Sequence, residues 1–257
     1  MIAGPDGPIE CLVTGGGTPV TVFAHGLAAS IDETRPFGSG VDGTRVFFHF
    51  RGHGATVGSQ APWHFGGLAA ELCAVVAAYG GSRALGVSLG AGALLRAAVS
   101  TPGVFDRLVL VLPAGIDRPR TDPAIERLQH QAELIERHDL PGLAAALVVE
   151  LPASVRVRPD VQLWAKRQAR RLSATSVARA LRELPSQHPL DSRDELKAVE
   201  CPVLLIAQED DAAHPWAVAR DLAEVLPRAE LTIFGGGGLV WSHRAELRAL
   251  ISTFFNT

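Results

Sequence analysis

The segment Gly86-Val87-Ser88-Leu89-Gly90 joins a strand pattern to a helix pattern, and few folds accommodate a serine at such a junction. Ser82–Val87 reads as an apolar strand and Leu89–Val99 has the apolar spacing of a helix. A serine on a sharp strand-to-helix turn projects its hydroxyl from the carboxyl edge of the sheet. Such a turn crowds its neighbours, so the residues two before and two after the serine must be small. We therefore predict a strained turn with a positive φ at Ser88.

Strand-like and helix-like segments alternate along most of the chain. Strands are predicted at Pro19–Ala24, Arg45–Phe50, Ser82–Val87, Leu108–Leu112, Val203–Ala207 and Glu230–Phe234, and helices at Phe65–Tyr79, Leu89–Val99, Pro215–Leu226 and Ser242–Phe255. This alternation predicts an α/β fold, a mainly parallel sheet with helices on both faces.

One long segment, Asp117–Ala198, breaks this alternation. It contains helical patterns interrupted by prolines, and no convincing strand. We interpret it as a helical insertion that forms a lid. The predicted organisation is therefore a core of residues 1–116 and 199–257, with a lid at 117–198.

Composition excludes several functional classes. The 257 residues are 47% hydrophobic and carry a net charge of −3, which allows a full core and argues against nucleic acid as the main partner. The longest apolar stretches, such as Ala84–Leu95, are too short to span a membrane. Cys11, Cys73 and Cys201 form no CxxC pair, so neither a zinc site nor a disulfide framework is expected. Met1–Glu10 has no Lys or Arg, unlike a secretory signal, and a cytoplasmic location is expected.

A second motif, Val22-Phe23-Ala24-His25-Gly26-Leu27, accompanies the serine turn. Together the two motifs resemble the α/β-hydrolase fold family, in its lidded branch with His-Gly after the third strand. The resemblance covers nearly the whole chain outside the lid. It implies that Ser88 is a nucleophile and that the backbone N–H groups of Leu27 and Leu89 form an oxyanion hole.

A further motif, Arg51-Gly52-His53-Gly54, resembles the loop after the fourth strand of that family. His49 stands where the family usually has an acidic residue, so the usual Asp–Arg contact is not expected. We expect His25 and His53 to be packed loop residues and not catalytic bases.

The resemblance places the catalytic acid just after the strand Val203–Ala207. Asp211 fits that place, with Asp210 and Glu209 as alternatives. Its expected role is to orient and stabilise an imidazolium. A solvated acidic turn that caps the next helix is the competing interpretation.

The sequence has no histidine at the usual position of the family's catalytic base. The family's histidine follows the last strand, where this chain has Gly238. Two histidines are candidates to replace it. His243 lies five residues further on, and we name it as the candidate base because four glycines precede it. His214, three residues after Asp211, is the alternative.

The resemblance implies hydrolysis or acyl transfer on a small ester, thioester or lactone through Ser88, with no metal and no organic cofactor. Gly238 leaves two other functions open. One is a catalytically degenerate protein that binds a ligand. The other is carbon–carbon cleavage or elimination, which would use the oxyanion hole without acylating Ser88.

The expected partner is a small acyl substrate, with neither nucleic acid nor membrane. A basic strip with helical spacing lies in the predicted lid and comprises Lys166, Arg167, Arg170 and Arg171. It is interpreted as a solvated helix face, with docking of an acidic carrier protein as the alternative.

Overall fold

The structure is a computed structural model that describes residues 1–58 and 61–257. The strands in this part of the chain are β1 Ile2–Gly4, β2 Gly7–Ile9, β3 Cys11–Gly15, β4 Val20–Ala24, β5 Thr44–Phe48, β6 Arg83–Val87, β7 Arg107–Val111, β8 Val203–Gln208 and β9 Ala229–Phe234. The helices are α1 Ile31–Thr34, α2 Phe65–Tyr79, α3 Leu89–Ser100, α4 Asp122–Glu136, α5 Leu140–Val149, α6 Pro159–Leu172, α7 Ala178–Glu183, α8 Trp216–Val225, α9 Leu239–Ser242 and α10 Arg244–Asn256.

Among the described residues, seven strands form one sheet in the order β3-β5-β4-β6-β7-β8-β9. β3 pairs with β5 in antiparallel fashion, and every other neighbouring pair is parallel. The predicted α/β fold with a mainly parallel sheet is therefore confirmed. The pairing of β1 with β2 and the strand β3 were not predicted, because these short segments lack a long apolar run.

Helices cover both faces of the sheet, as the apolar strands require. Val22 and Leu108 point to the face covered by α2 and α3. Phe23 and Val109, their immediate neighbours in sequence, point to the other face, which α10 covers. Full burial of such side chains stabilises the fold by about 1.5–3 kcal/mol each. All six residues of β8 are buried, so the sheet holds the loop that follows β8 on a rigid base.

The predicted helix Ser242–Phe255 is two helices in the structure. α9 ends before His243, whose φ of −119° and ψ of 26° depart from helical values, and α10 begins after it. The other predicted helices of the core agree with α2, α3 and α8 to within about a residue at each end.

The segment between β7 and β8 contributes α4 to α7, and no strand is found there in the described residues. One of its connections to the core runs through α6. The guanidinium of Arg171 donates to the carbonyl oxygens of Ala28 at 2.7 Å and Ala29 at 3.0 Å, and it forms an ion pair with Glu33 at 3.1 Å. α6 is thereby fixed to the loop after β4. The lid boundaries at 117 and 198 stay a prediction.

These contacts change the interpretation of the basic strip. Lys166, Arg167 and Arg170 are exposed, whereas Arg171 is turned towards the core. The exposed basic surface is therefore smaller than the sequence predicts.

No helix in residues 1–58 and 61–257 combines the length and apolar character needed to cross a membrane.

Candidate active site

The serine turn has the predicted strain. Ser88 lies between β6 and α3 with φ of 50° and ψ of −105°. A Cβ atom on Gly86 would collide with the carbonyl group of Gly90, and one on Gly90 would collide with the carbonyl group of Ala24. Only glycine fits at either position, so the spacing of the two glycines is a steric requirement of this turn.

Ser88 has an imidazole within hydrogen-bond reach. Nε2 of His214 lies 2.9 Å from Oγ of Ser88, and Nδ1 of the same ring lies 3.0 Å from Oδ2 of Asp211. If Nδ1–H donates to the carboxylate, Nε2 is left to accept the serine proton. The three side chains thus have the relative arrangement of a Ser-His-Asp triad.

A tight turn after β8 holds the acid and the histidine together. Oδ1 of Asp211 accepts the backbone N–H groups of Ala213 and His214, each at 3.0 Å. Burial by itself would raise the pKa of Asp211, but the hydrogen bonds and charge of His214, with the backbone N–H groups, hold the pKa below its ordinary value. The carboxylate is therefore ionised at neutral pH and faces the imidazole.

His243 is not brought to Ser88. Its Nε2 lies 3.3 Å from the carbonyl oxygen of Gly236, and its ring packs against Phe234 with centroids 5.2 Å apart. Its backbone N–H donates to Leu239 and its carbonyl accepts from Leu247, so helical hydrogen bonds fix it on both sides. The expectation of a swing towards Ser88 is corrected for this reason.

His214, which the sequence analysis names only as the alternative to His243, is the histidine that lies beside Ser88. Its signal was present, since it lies three residues after Asp211, where a single turn can join the two side chains. The family pattern drew attention to the loop after the last strand. Gly238 in that loop has φ of 80°, a conformation that suits glycine and strains a histidine.

Two backbone N–H groups flank the serine. Leu27 and Leu89 line the pocket next to Ser88, and within the described part of the chain neither N–H has a hydrogen-bond partner. Leu27 belongs to the loop after β4, and Leu89 is the first residue of α3. Both are therefore free to donate to a group bound beside Ser88.

Buried histidines hold the loop that carries Leu27. His53 accepts the N–H of Ala28, His49 accepts that of Ile31, and His25 accepts that of Phe50, in each case through Nε2 at 3.0 Å. His25 and His53 are buried loop residues, as the sequence predicts, and Nδ1–H of His49 donates to Oε2 of Glu10 at 2.7 Å.

Only neutral imidazoles can make these contacts, because a protonated Nε2 cannot accept a hydrogen bond. Burial lowers the pKa of His53 to about 4, lowers that of His25 well below its ordinary value, and lowers that of His49. The loop is therefore held by uncharged histidines at neutral pH.

A cavity of about 250 Å³ lies between the carboxyl edge of the sheet and the insertion. Ser88 and His214 form part of its floor. Its insertion side is largely apolar and includes Leu128, Leu147, Leu151, Trp164 and Leu181. Arg120 also lines the cavity, and its Nη2 lies 3.4 Å from Oγ of Ser88. The sequence analysis did not identify this residue.

In the described residues, no group of three or more His, Cys, Asp or Glu side chains is arranged to hold a metal ion.

Comparison with known proteins shows which family the chain belongs to. The sequence model of the Alpha/beta hydrolase family matches residues 21–250. The chain belongs to that family. It is a hydrolase, and the turn at Ser88, the loop after β4 and the segment with Asp211 and His214 all lie within the matched range.

Two curated relatives of this hydrolase carry the same name. A protein of Caulobacter sp. strain K31, named as carbamate hydrolase RutD, is 28% identical over 230 residues, which are 82% of this chain and 80% of the relative. A protein of the same name from Pseudomonas syringae pv. syringae strain B728a is 40% identical over 79 residues. That second match spans 28% of this chain and 30% of the relative, less than a third of either.

A solved structure agrees over the whole length. An esterase from Exiguobacterium antarcticum superposes with a TM-score of 0.81 at 18% identity, covering 100% of this chain and 98% of the esterase. At this identity the likeness shows the fold alone.

Proposed function

We propose that this hydrolase cleaves small esters, thioesters or lactones through an acyl-enzyme formed on Ser88. One observation supports the proposal above all others: Nε2 of His214 lies 2.9 Å from Oγ of Ser88 while its Nδ1 lies 3.0 Å from Asp211. A serine hydroxyl needs an adjacent base to act as a nucleophile at neutral pH, and this geometry supplies one.

The first half of the reaction forms the acyl-enzyme. Oγ of Ser88 attacks the acyl carbon as Nε2 of His214 accepts its proton, and the carbonyl oxygen becomes an oxyanion facing the N–H groups of Leu27 and Leu89. Asp211 stabilises the imidazolium. As the intermediate collapses, the imidazolium proton passes to the leaving oxygen or sulfur.

The second half releases the acid. A water molecule gives a proton to His214 and attacks the acyl carbon. The new intermediate collapses, Ser88 takes back its proton, and the carboxylic acid departs. General-base assistance of this kind typically contributes about 10²–10⁴-fold.

The alternatives differ from this proposal in their use of Ser88. A ligand-binding protein without catalysis was suggested by the missing histidine at position 238, and His214 now provides an imidazole at the serine. Carbon–carbon cleavage or elimination would use the same pocket without an acyl-enzyme. The name of the relatives makes carbamates a further class of acyl substrate to assay.

Covalent labelling of Ser88 tests the proposal. The intact protein should gain one fluorophosphonate adduct by intact mass and hydrolyse 4-nitrophenyl acetate. Ser88→Ala should lose both properties, and the control Ser100→Ala, at the far end of α3, should keep them. A Ser88→Ala protein that still hydrolyses the ester would contradict the proposal, as would an intact protein that takes no label.

A further inference from the structure

The guanidinium of Arg120 lies beside both reacting side chains. Its Nη1 donates to the carbonyl oxygen of Ala213 at 2.8 Å, and its Nη2 lies 3.4 Å from Oγ of Ser88. Ala213 immediately precedes His214. Because a guanidinium has five N–H groups and these two contacts use only two of them, Arg120 retains donors for a bound molecule.

No described carboxylate forms an ion pair with Arg120, although acids line the same cavity. Glu150 is paired with Arg127 at 3.0 Å, and Glu33 is paired with Arg171 at 3.1 Å. Arg120 is therefore a cavity-lining cation that forms no ion pair with a described side chain, although the charges of Glu150 and Asp211 also act on it.

The position of Arg120 reduces the solvation of its charge. The side chain is partly buried, and the cavity around it is mostly apolar. A cation withdrawn from water loses solvation that only a hydrogen-bonded anion restores well. An anionic group of the substrate would restore it, and a planar carboxylate matches the fork of N–H donors on a guanidinium.

We propose that Arg120 binds a carboxylate of the substrate, so that the preferred substrates are monoesters or monothioesters of short dicarboxylic acids. This inference rests on the proposed function, since it specifies the acyl group that Ser88 attacks. The distance from Arg120 to Ser88 sets the spacing. A carboxylate at the usual hydrogen-bond distance of about 2.8 Å from the guanidinium reaches the acyl carbon through one or two methylene groups.

Paired substrates of equal shape test the inference. Ethyl hydrogen succinate carries the carboxylate, and ethyl 4-methylpentanoate replaces it with an uncharged isopropyl group. The intact protein should favour the succinate ester in kcat/KM. Arg120→Gln should lose about 10- to 150-fold on the succinate ester, the range expected for one hydrogen bond to a charged group, and a clearly smaller factor on the neutral ester.

The control and the conservative variant sharpen this test. Arg137→Gln removes an exposed arginine outside the cavity and should leave the ratio of the two substrates unchanged. Arg120→Lys keeps the charge and should retain part of the preference. Equal losses on both esters in Arg120→Gln would overturn the inference, because they would mean that Arg120 only holds the Ala213 carbonyl in place.

A binding measurement separates this inference from the proposed function. Calorimetry on Ser88→Ala should show binding of ethyl hydrogen succinate that is lost in Ser88→Ala with Arg120→Gln. If the intact protein hydrolyses neither ester but this difference is seen, the carboxylate site stands and the proposed function fails. If hydrolysis depends on Ser88 but neither binding nor kcat/KM distinguishes the two esters, this inference alone fails.

Discussion

At the scale of single residues, the proposed acid and the proposed base lie on one turn. Asp211 and His214 are three residues apart, and the carboxylate accepts both the imidazole N–H and the backbone N–H of the same residue. The two side chains are therefore positioned by one short backbone segment at the end of β8. Their mutual geometry does not depend on the loop after β9, which contains Gly238.

Asp211→Asn should remove most of the activity while leaving the fold intact. An amide cannot accept the imidazole proton in the same way, and it stabilises the imidazolium less. We expect kcat to fall on the order of 10⁴-fold on 4-nitrophenyl acetate. Asp210→Asn changes the exposed neighbour and should have little effect. A larger loss of activity in Asp210→Asn than in Asp211→Asn would show that Asp211 is not the catalytic acid.

Gly238→His should lower stability and add no activity. Gly238 has φ of 80°, and a Cβ there would lie 2.8 Å from Cδ1 of Trp241. The strain should reduce the free energy of unfolding by about 1–3 kcal/mol, measured by urea denaturation. Gly235→His is the matched control, since a Cβ there has no neighbour within 4 Å. Recovery of activity when Gly238→His is added to His214→Ala would contradict the account.

At the scale of elements, the loop after β4 is anchored by side chains from the segment after β5. Ala28 and Ile31 donate their N–H groups to His53 and His49. These bonds fix the backbone around Leu27, which lines the pocket beside Ser88. The loop is consequently sensitive to any protonation of the two imidazoles.

Stability should therefore fall as pH falls below about 6.5. The pKa of His53 is about 4 in the folded protein and roughly 6.5 in the unfolded chain, so the unfolded chain takes up a proton first as pH falls. The free energy of unfolding loses about 1.4 kcal/mol per pH unit from this group, roughly 3 kcal/mol by pH 4. The contribution of neutral His53 to the free energy of unfolding is fully present well above about pH 6.5.

Denaturation at several pH values checks this dependence. His53→Gln keeps an acceptor for the N–H of Ala28 but does not titrate, so its stability should depend less steeply on pH between 6.5 and 5. His130→Gln removes an exposed imidazole of the insertion and serves as the control. Parallel pH curves for the intact protein and His53→Gln would show that His53 does not carry this dependence.

At the scale of the whole molecule, the insertion and the core meet at the loop after β4. Arg171 on α6 donates to two carbonyl oxygens of that loop, and Gln168 donates to the same Ala28 oxygen at 2.7 Å. The roof of the cavity is thus tied to the loop that carries Leu27. A substitution in the insertion that breaks these contacts should therefore alter the pocket beside Ser88.

Arg171→Met should weaken this connection. It leaves the carbonyls of Ala28 and Ala29 with fewer donors and removes a cation from Glu33. We expect the free energy of unfolding to fall by about 1–3 kcal/mol, with a loss in kcat/KM on a short ester. Arg170→Met alters the exposed neighbour and should change neither quantity. Equal effects of the two variants would mean that the contact does not join the two parts.

The sequence predicts those features that depend on local pattern. The glycines around Ser88 are demanded by sterics within five residues, and the parallel strands are visible as apolar runs. The histidine that contacts Ser88 is set by the three-dimensional positions of the loops after β8 and β9, which are distant from Ser88 in sequence. The spacing of three residues shows that one turn can join His214 to Asp211, but it does not show that Ser88 lies within reach. The contact of Arg120 with the serine spans 32 residues. Such contacts form only when the folded sheet brings the ends of its strands together at one edge.

The rate of Ser88 acylation in two histidine variants tests the central claim most directly. Pre-steady-state release of 4-nitrophenol from 4-nitrophenyl acetate should be about 10²–10⁴-fold slower in His214→Ala than in the intact protein, because the general base is gone. His243→Ala should acylate within about twofold of the intact rate, since its Nε2 contacts the carbonyl of Gly236. Unchanged acylation in His214→Ala together with a large loss in His243→Ala would contradict the account.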